Sequence, residues 1–136
     1  MYKARHYLVS VIFISLVLLP GINITHAQEK QSAQPVSCLH LDRIQNVDIL
    51  DDSHIIFQVG LKDHYLNTLP YACHGLKLND TIMYRTSLNE ICNVDVITVL
   101  NKIGTGYQAG PSCGLGKFEP VTTEQIKTLR ESIRKK

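Results

Sequence analysis

Beyond residue 27 of this 136-residue chain, the residues with reactive or metal-binding potential are four cysteines, Cys38, Cys73, Cys92 and Cys113, and four histidines, His40, His54, His64 and His74. The cysteines are 35, 19 and 21 residues apart. Zinc sites built from sequence-local pairs use C-x2-C spacing, and thiol oxidoreductases use C-x-x-C; this chain has neither. An even number of cysteines in a short exported chain reads instead as two disulfides. Four cysteines allow three pairings. The shortest doubling-back segment favours Cys73 with Cys92, which leaves Cys38 to tie the first strand to the last through Cys113. No two histidines stand two apart on a candidate strand or four apart on a candidate helix, so the spacing points to no metal and no cofactor.

Two other residues attract a functional reading. Asp95 lies between Val94 and Val96, three residues after Cys92, at the entry to the most apolar stretch beyond residue 27. A carboxylate placed there, paired with a histidine such as His64 or His74, could do acid–base or metal-handling work. The competing role is to accept backbone hydrogen bonds in the turn that starts a strand. Tyr107, inside a glycine-rich stretch, has the amphipathic character of a recognition anchor. The chain contains no G-x-S-x-G, and any cysteine nucleophile would have to stay unbridged in an oxidising compartment. Gly104-Thr-Gly106 and Gly114-Leu-Gly116 lack the following helix and Lys-Ser/Thr of a phosphate loop, so they read as turn and bulge glycines. No residue is assigned a catalytic role on these grounds. A non-catalytic binding module is the favoured function, with a small periplasmic enzyme or metal-handling protein using Asp95 as the alternative.

The elements that would position these groups are mostly strands. Ile44–Leu50 and His54–Val59 flank Asp51-Asp52-Ser53 and predict a hairpin whose Ile55, Phe57 and Val59 face the core. Tyr65–Leu69 is too short a run to separate a single helical turn from an edge strand and is read as a short helix or turn, and Thr81–Thr86 predicts a strand. Ile91–Leu100 is apolar on both faces from Val96 and predicts a central strand. Residues 104–116 carry five of the chain's eight glycines and predict a loop or bulged hairpin. The clearest helix spans 122–135: Thr122 and Gln125 form a capping box, Val121 can staple to Ile126, and Ile126, Leu129 and Ile133 recur at helical spacing. The predicted fold is mainly β, a small antiparallel sheet or partly open barrel of five or six strands with a C-terminal α-helix and two disulfides. An α+β sandwich with a second helix in 65–78 is the alternative.

Residues 1–27 have the layout of a signal peptide. Lys3 and Arg5 precede an apolar run over Leu8–Leu19, then Pro20-Gly21 and a small-residue cut after Ala27. That run of about 12 residues is short of the ~20 that span a bilayer, so no stable membrane insertion is expected after cleavage. A polar leader over 28–35 would precede one domain over 36–136. Removing Lys3 and Arg5 leaves 12 basic against 12 acidic residues, with no Trp and no basic stripe, which argues against nucleic acid as a partner. The expected partner is an envelope macromolecule or ligand, engaged through an exposed loop or sheet edge in Gly104–Pro111. Asn79-Asp80-Thr81 also matches a glycan acceptor.

Cys38, the Asp51-Asp52 turn, Tyr65-Leu66-x-x-Leu69, Cys73-His-Gly-Leu76, Ile91-Cys-Asn-Val-Asp95-Val-Ile97 and Ser112-Cys-Gly-Leu-Gly-Lys-Phe118 together resemble a family of small exported bacterial proteins of undetermined function. The resemblance spans roughly Cys38 to Leu129. It implies a bacterial source and a periplasmic or secreted destination, and it brings no activity, cofactor or catalytic residue.

Overall fold

The computed structural model describes residues 34–86 and 88–135. The signal assigned to residues 1–27, and all of the leader except Gln34 and Pro35, lie outside the described residues. Among the latter, no helix is long and apolar enough to cross a membrane.

Among the described residues, alternation of apolar and polar residues, interrupted by turn formers, builds nine strands: β1 (Cys38–His40), β2 (Ile44–Ile49), β3 (His54–Val59), β4 (Asp63–Thr68), β5 (Ile82–Tyr84), β6 (Glu90–Cys92), β7 (Val96–Ile103), β8 (Gly106–Gly114) and β9 (Phe118–Val121). Two α-helices join them, the single turn α1 (Leu76–Asn79) and the C-terminal α2 (Thr123–Arg134). The strands form three antiparallel sheets, ordered β2-β3-β4-β9, β5-β7-β8 and the two-stranded ribbon β1-β6, none of them closed into a barrel. The protein is therefore mainly β with a C-terminal helix, as its patterning predicts, but with more and shorter strands than the five or six expected.

β3 shows how sequence becomes packing. Ile55, Phe57 and Val59 point into the main core, where Phe57 meets Phe118 of β9 edge-on at 5.4 Å between ring centroids. That arrangement suits the ring quadrupoles and adds to the burial energy. Ile56 points the other way and is also buried, packing with Leu50 and with Ile126 of α2. The second face of β3, mixed in the sequence, is thus covered by the helix. α2 begins as expected: Thr122 Oγ1 accepts from the Gln125 amide, and the Thr122 amide donates to Gln125 Oε1 at 2.8 Å. Val121 packs on the same small cluster as Ile126.

Two expectations are corrected and a third is decided between its alternatives. Residues 65–68 are not a helix or turn but the larger part of β4, because Gly60, at φ 59°, turns the chain back so that all six residues of β4 pair with β3. Ladder pairing and cross-strand contacts outweigh the weak local preference of such a segment. The single strand predicted over 91–100 is two: β6 joins the ribbon and β7 becomes the centre of the three-stranded sheet, with a turn at Asn93-Val94-Asp95 between them. Of the two forms expected for residues 104–116, a loop or a bulged hairpin, the structure has the bulged hairpin. Gly104 adopts φ 58° in the two-residue turn, and the register shift falls where Gly110 and Pro111 face Val99.

The cysteine pairing is also corrected. The bridges are Cys38–Cys92 and Cys73–Cys113, and no cysteine is free. Loop length suggested joining Cys73 to Cys92, but the sheets decide otherwise. Cys38 and Cys92 are direct ladder partners with Cα atoms 4.0 Å apart. Cys73, fully buried, is held by its amide on the Asp52 carbonyl at 2.7 Å and reaches Cys113 on β8.

Candidate functional site

β8 is the open edge of its sheet: it pairs with β7 and has no second strand beside it among the described residues. Its nine residues, Gly-Tyr-Gln-Ala-Gly-Pro-Ser-Cys-Gly, carry no charge. Side chains from Tyr107 to Ala109 are exposed, and Tyr107, beside the hairpin turn and opposite Lys102, keeps 60 % of its surface in solvent. Edge strands usually carry charges, prolines or bulges that discourage pairing with another chain. Here the bulge and Pro111 guard the second half of β8, while Gly106–Ala109 has neither a charge nor a proline. A side chain at Gly110 would crowd the Asn101 amide and the Val99 carbonyl, so the bulge depends on glycine there.

Beyond the bulge, β8 borders a cleft of about 430 Å³ lined by Pro70, Tyr71, Ala72, His74, Pro111 and Ser112. Tyr71 at its rim is 86 % exposed. The Cys73–Cys113 bridge fixes the distance between the two walls, since Cys73 lies between Ala72 and His74 and Cys113 lies at the end of β8. The wall carrying Cys73 is further clamped to the β2–β3 turn. Leu69 and Cys73 donate to Ser53 and Asp52 carbonyls, and the Lys77 amide donates to Asp52 Oδ1 at 2.8 Å. Sequence reading named Tyr107 and His74 but did not place Tyr71 and His74 beside the second half of β8, because the 40-residue bridge brings them there.

Asp95 sits in the turn between β6 and β7. Its Oδ2 accepts from the Cys92 amide at 2.7 Å, its own amide donates to the Cys92 carbonyl, and its carbonyl accepts from Leu115. It makes no hydrogen bond or ion pair with an imidazole. His64 is on β4 with Nδ1 near the Lys62 carbonyl, and His74 lines the cleft beside β8. The structure therefore gives Asp95 a turn-closing position and does not join it to either histidine proposed as its partner. His54 pairs with Asp51 at 2.8 Å and His40 with Glu90 at 3.2 Å.

A second concavity, about 270 Å³, lies between the four-stranded sheet and α2, with Asn46, Gln58, His64 and Lys127 among its lining. Arg130 closes it by an ion pair with Asp48, an interaction 82 residues long in sequence and so invisible to local spacing. Among the described residues, one group brings three potential metal ligands together, Cys38, Glu90 and Cys92.

A protein-family model described as "Family of unknown function (DUF6491)" matches residues 5–136, and the chain belongs to that family. No curated protein and no solved structure matches the chain.

Proposed function

We propose that this protein is an exported, non-catalytic interaction module that takes up an extended segment of a partner macromolecule along the free edge of β8, with Tyr107 as the side-chain anchor. The observation that carries the reading is the uncharged, exposed run Gly106–Ala109, paired with β7 on one side and without a second strand on the other among the described residues, in a hairpin tied to the core by the second bridge. Strand addition draws affinity from main-chain hydrogen bonds and specificity from pockets for alternate side chains. The cleft beyond the bulge supplies such a pocket at the end of the strand. Two disulfides with no free thiol are compatible with an oxidising destination such as the periplasm or the exterior.

The test is affinity capture from envelope extracts with three baits: the wild-type protein, Tyr107→Ala and Ala109→Lys. Both substitutions fall on exposed side chains and leave the fold intact, and an edge lysine opposes strand pairing. A partner retained by the wild type and lost by both variants is expected, with β8 amides protected from hydrogen exchange in the complex. Capture unchanged by either substitution, or protection confined to another surface, overturns the assignment.

A further inference from the structure

The ribbon β1-β6 has two unlike faces. Leu39 and Ile91, opposite each other in the ladder, are buried in the main core. Their neighbours Cys38 and His40 on β1, and Cys92 and Glu90 on β6, alternate to the outer face. The amide of Leu41 donates to Asn89 and that of Asn93 to Ser37. These bonds put 37/93 and 41/89 at hydrogen-bonded positions, so Cys38/Cys92 and His40/Glu90 occupy the intervening non-hydrogen-bonded pairs, where side chains stand closest. The result is a two-by-two array of two sulfurs, an imidazole and a carboxylate. The Cys38 and Cys92 sulfurs and a Glu90 oxygen all lie within 4.8 Å of one another, and His40 Nδ1 is 3.2 Å from Glu90 Oε1. Glu90 and Cys92 also line a shallow concavity of about 160 Å³, so the face is open to small solutes.

We propose that this face is a thiol-gated site for a zinc-class divalent cation, closed while Cys38–Cys92 is bridged and formed when the bridge is opened. Opening takes two electrons and two protons. A dithiol reductant closes its own disulfide as Cys38 and Cys92 become thiols, and metal binding then releases both thiol protons to solvent. The two thiolates and Glu90 supply three ligands; His40, outside that group but 3.2 Å from the Glu90 carboxylate, reaches the fourth position by side-chain rotation, giving a mixed sulfur, nitrogen and oxygen set suited to tetrahedral zinc. With Zn–S near 2.3 Å the sulfurs of such a site stand about 3.8 Å apart, so they separate after cleavage by rotation of side chains on strands already adjacent. Leu39 and Ile91, buried in the core, hold the inner face of the ribbon and keep the two strands side by side when the bridge opens. Cys73–Cys113 does not offer the same chemistry: Cys73 is fully buried, and no third ligand group gathers beside that pair among the described residues.

The experiment opens the outer bridge of the full folded protein with a dithiol that is then removed anaerobically. Mass spectrometry identifies the opened pair, and Zn2+ alone is titrated in competition with a chromogenic chelator. Uptake of one equivalent by the opened protein and none by the bridged protein is expected, with a thiolate-to-metal charge-transfer band when Co2+ replaces Zn2+. Glu90→Gln and His40→Ala keep the bridge and the fold, and each should weaken uptake at least tenfold; Cys38→Ser/Cys92→Ser should abolish it. Three outcomes overturn the site: no uptake by the opened protein, uptake indifferent to Glu90→Gln and His40→Ala, or uptake that persists without Cys38 and Cys92.

Discussion

Cys73–Cys113 and Cys38–Cys92 span 40 and 54 residues of chain, and loop-closure entropy alone gives them almost equal weight, about 4 kcal/mol each. Their surroundings differ far more than their loops. Cys73 is buried in the main core and tied by its amide to the β2–β3 turn, while its partner Cys113 is partly exposed at the cleft and leads directly into the β8–β9 connection that crosses under Thr68. Cys38 and Cys92 lie on the outer face of a two-stranded ribbon, both partly open to solvent. Disulfide exchange requires access of a thiolate to sulfur along the S–S axis, so the bridge with one sulfur buried in the core should open more slowly than the bridge with both sulfurs on an outer face.

The largest effect expected is from removing the inner bridge. Cys73→Ala/Cys113→Ala loses the loop constraint and also leaves space in the core, so chemical denaturation should show a loss of about 4 to 5 kcal/mol. A domain of this size has roughly 5 to 15 kcal/mol in all. Cys38→Ala/Cys92→Ala loses the loop constraint without a core cavity and should cost less. Under limiting reductant, alkylation should mark Cys38 and Cys92 before Cys73 and Cys113. Equal costs together with simultaneous opening would erase the distinction between the bridges.

Asn67 is the next lever and acts on the inner region alone. Its fully buried side chain donates to the Gly116 carbonyl at 2.7 Å and accepts from the Gly116 amide at 2.9 Å, replacing ladder bonds that the chain cannot make as it leaves β8. Asn67→Ala would strand both backbone groups, at a cost of about 2 to 4 kcal/mol for two unsatisfied buried partners. It should also speed labelling at Cys113, three residues earlier, and leave the Cys38–Cys92 rate unchanged. Gly116→Ala should reproduce the effect, since a Cβ there would collide with the Thr68 carbonyl oxygen. Faster labelling at the outer bridge in either variant would show that the two regions are coupled.

How much of this could be read from sequence depended on how local the determining physics was. The capping box at Thr122, the β2–β3 hairpin and the core face of β3 all follow from spacing within a few residues, and the structure has them. Asp95 had two readings. The structure puts its carboxylate on the Cys92 amide, three residues away, a bond short enough to be anticipated from sequence. What escaped were features fixed by distant partners. β4 is a strand because β3 lies beside it, Asn67 is buried because Gly116 needs it, and Cys38 faces Cys92 because a 54-residue excursion returns β6 to β1. Loop length was a poor guide to pairing because entropy distinguishes loops of 20, 40 and 54 residues only weakly. For Tyr107 the glycine-rich spacing leaves loop and sheet edge open, and only the hairpin register settles that it stands on an open edge.

A smaller effect should come from the helix that covers the far face of β3. Thr122→Ala removes the acceptor for the Gln125 amide and should lower stability by about 1 kcal/mol, read as a shift in the denaturation midpoint. The cluster it loosens, Leu50, Ile56 and Ile126, contains neither bridge. The order in which the bridges open should therefore be the same as in the wild type, and a reversed order would mean that α2, rather than burial in the main core, protects Cys73.

The smallest effect concerns pH and again separates the two bridges. Burial pushes the Asp51 carboxyl upward, but hydrogen bonds from the Ser53 amide and the His54 ring outweigh it and hold the group below the ordinary carboxylate range. A carboxyl lowered in the folded state stabilises it fully above the unfolded-state value, and that contribution disappears as pH falls through the folded-state value. The stability difference between wild type and Asp51→Asn should therefore narrow between about pH 5 and pH 2, where carboxylates titrate. Because Asp51 shapes the turn whose Asp52 carbonyl holds the Cys73 amide, acidification in that window should also speed opening of Cys73–Cys113 by a phosphine reductant relative to Cys38–Cys92. A difference that is constant or widens on acidification, or rates that rise together at both bridges, would show that the turn does not protect the inner bridge and that its resistance comes from burial of Cys73 alone.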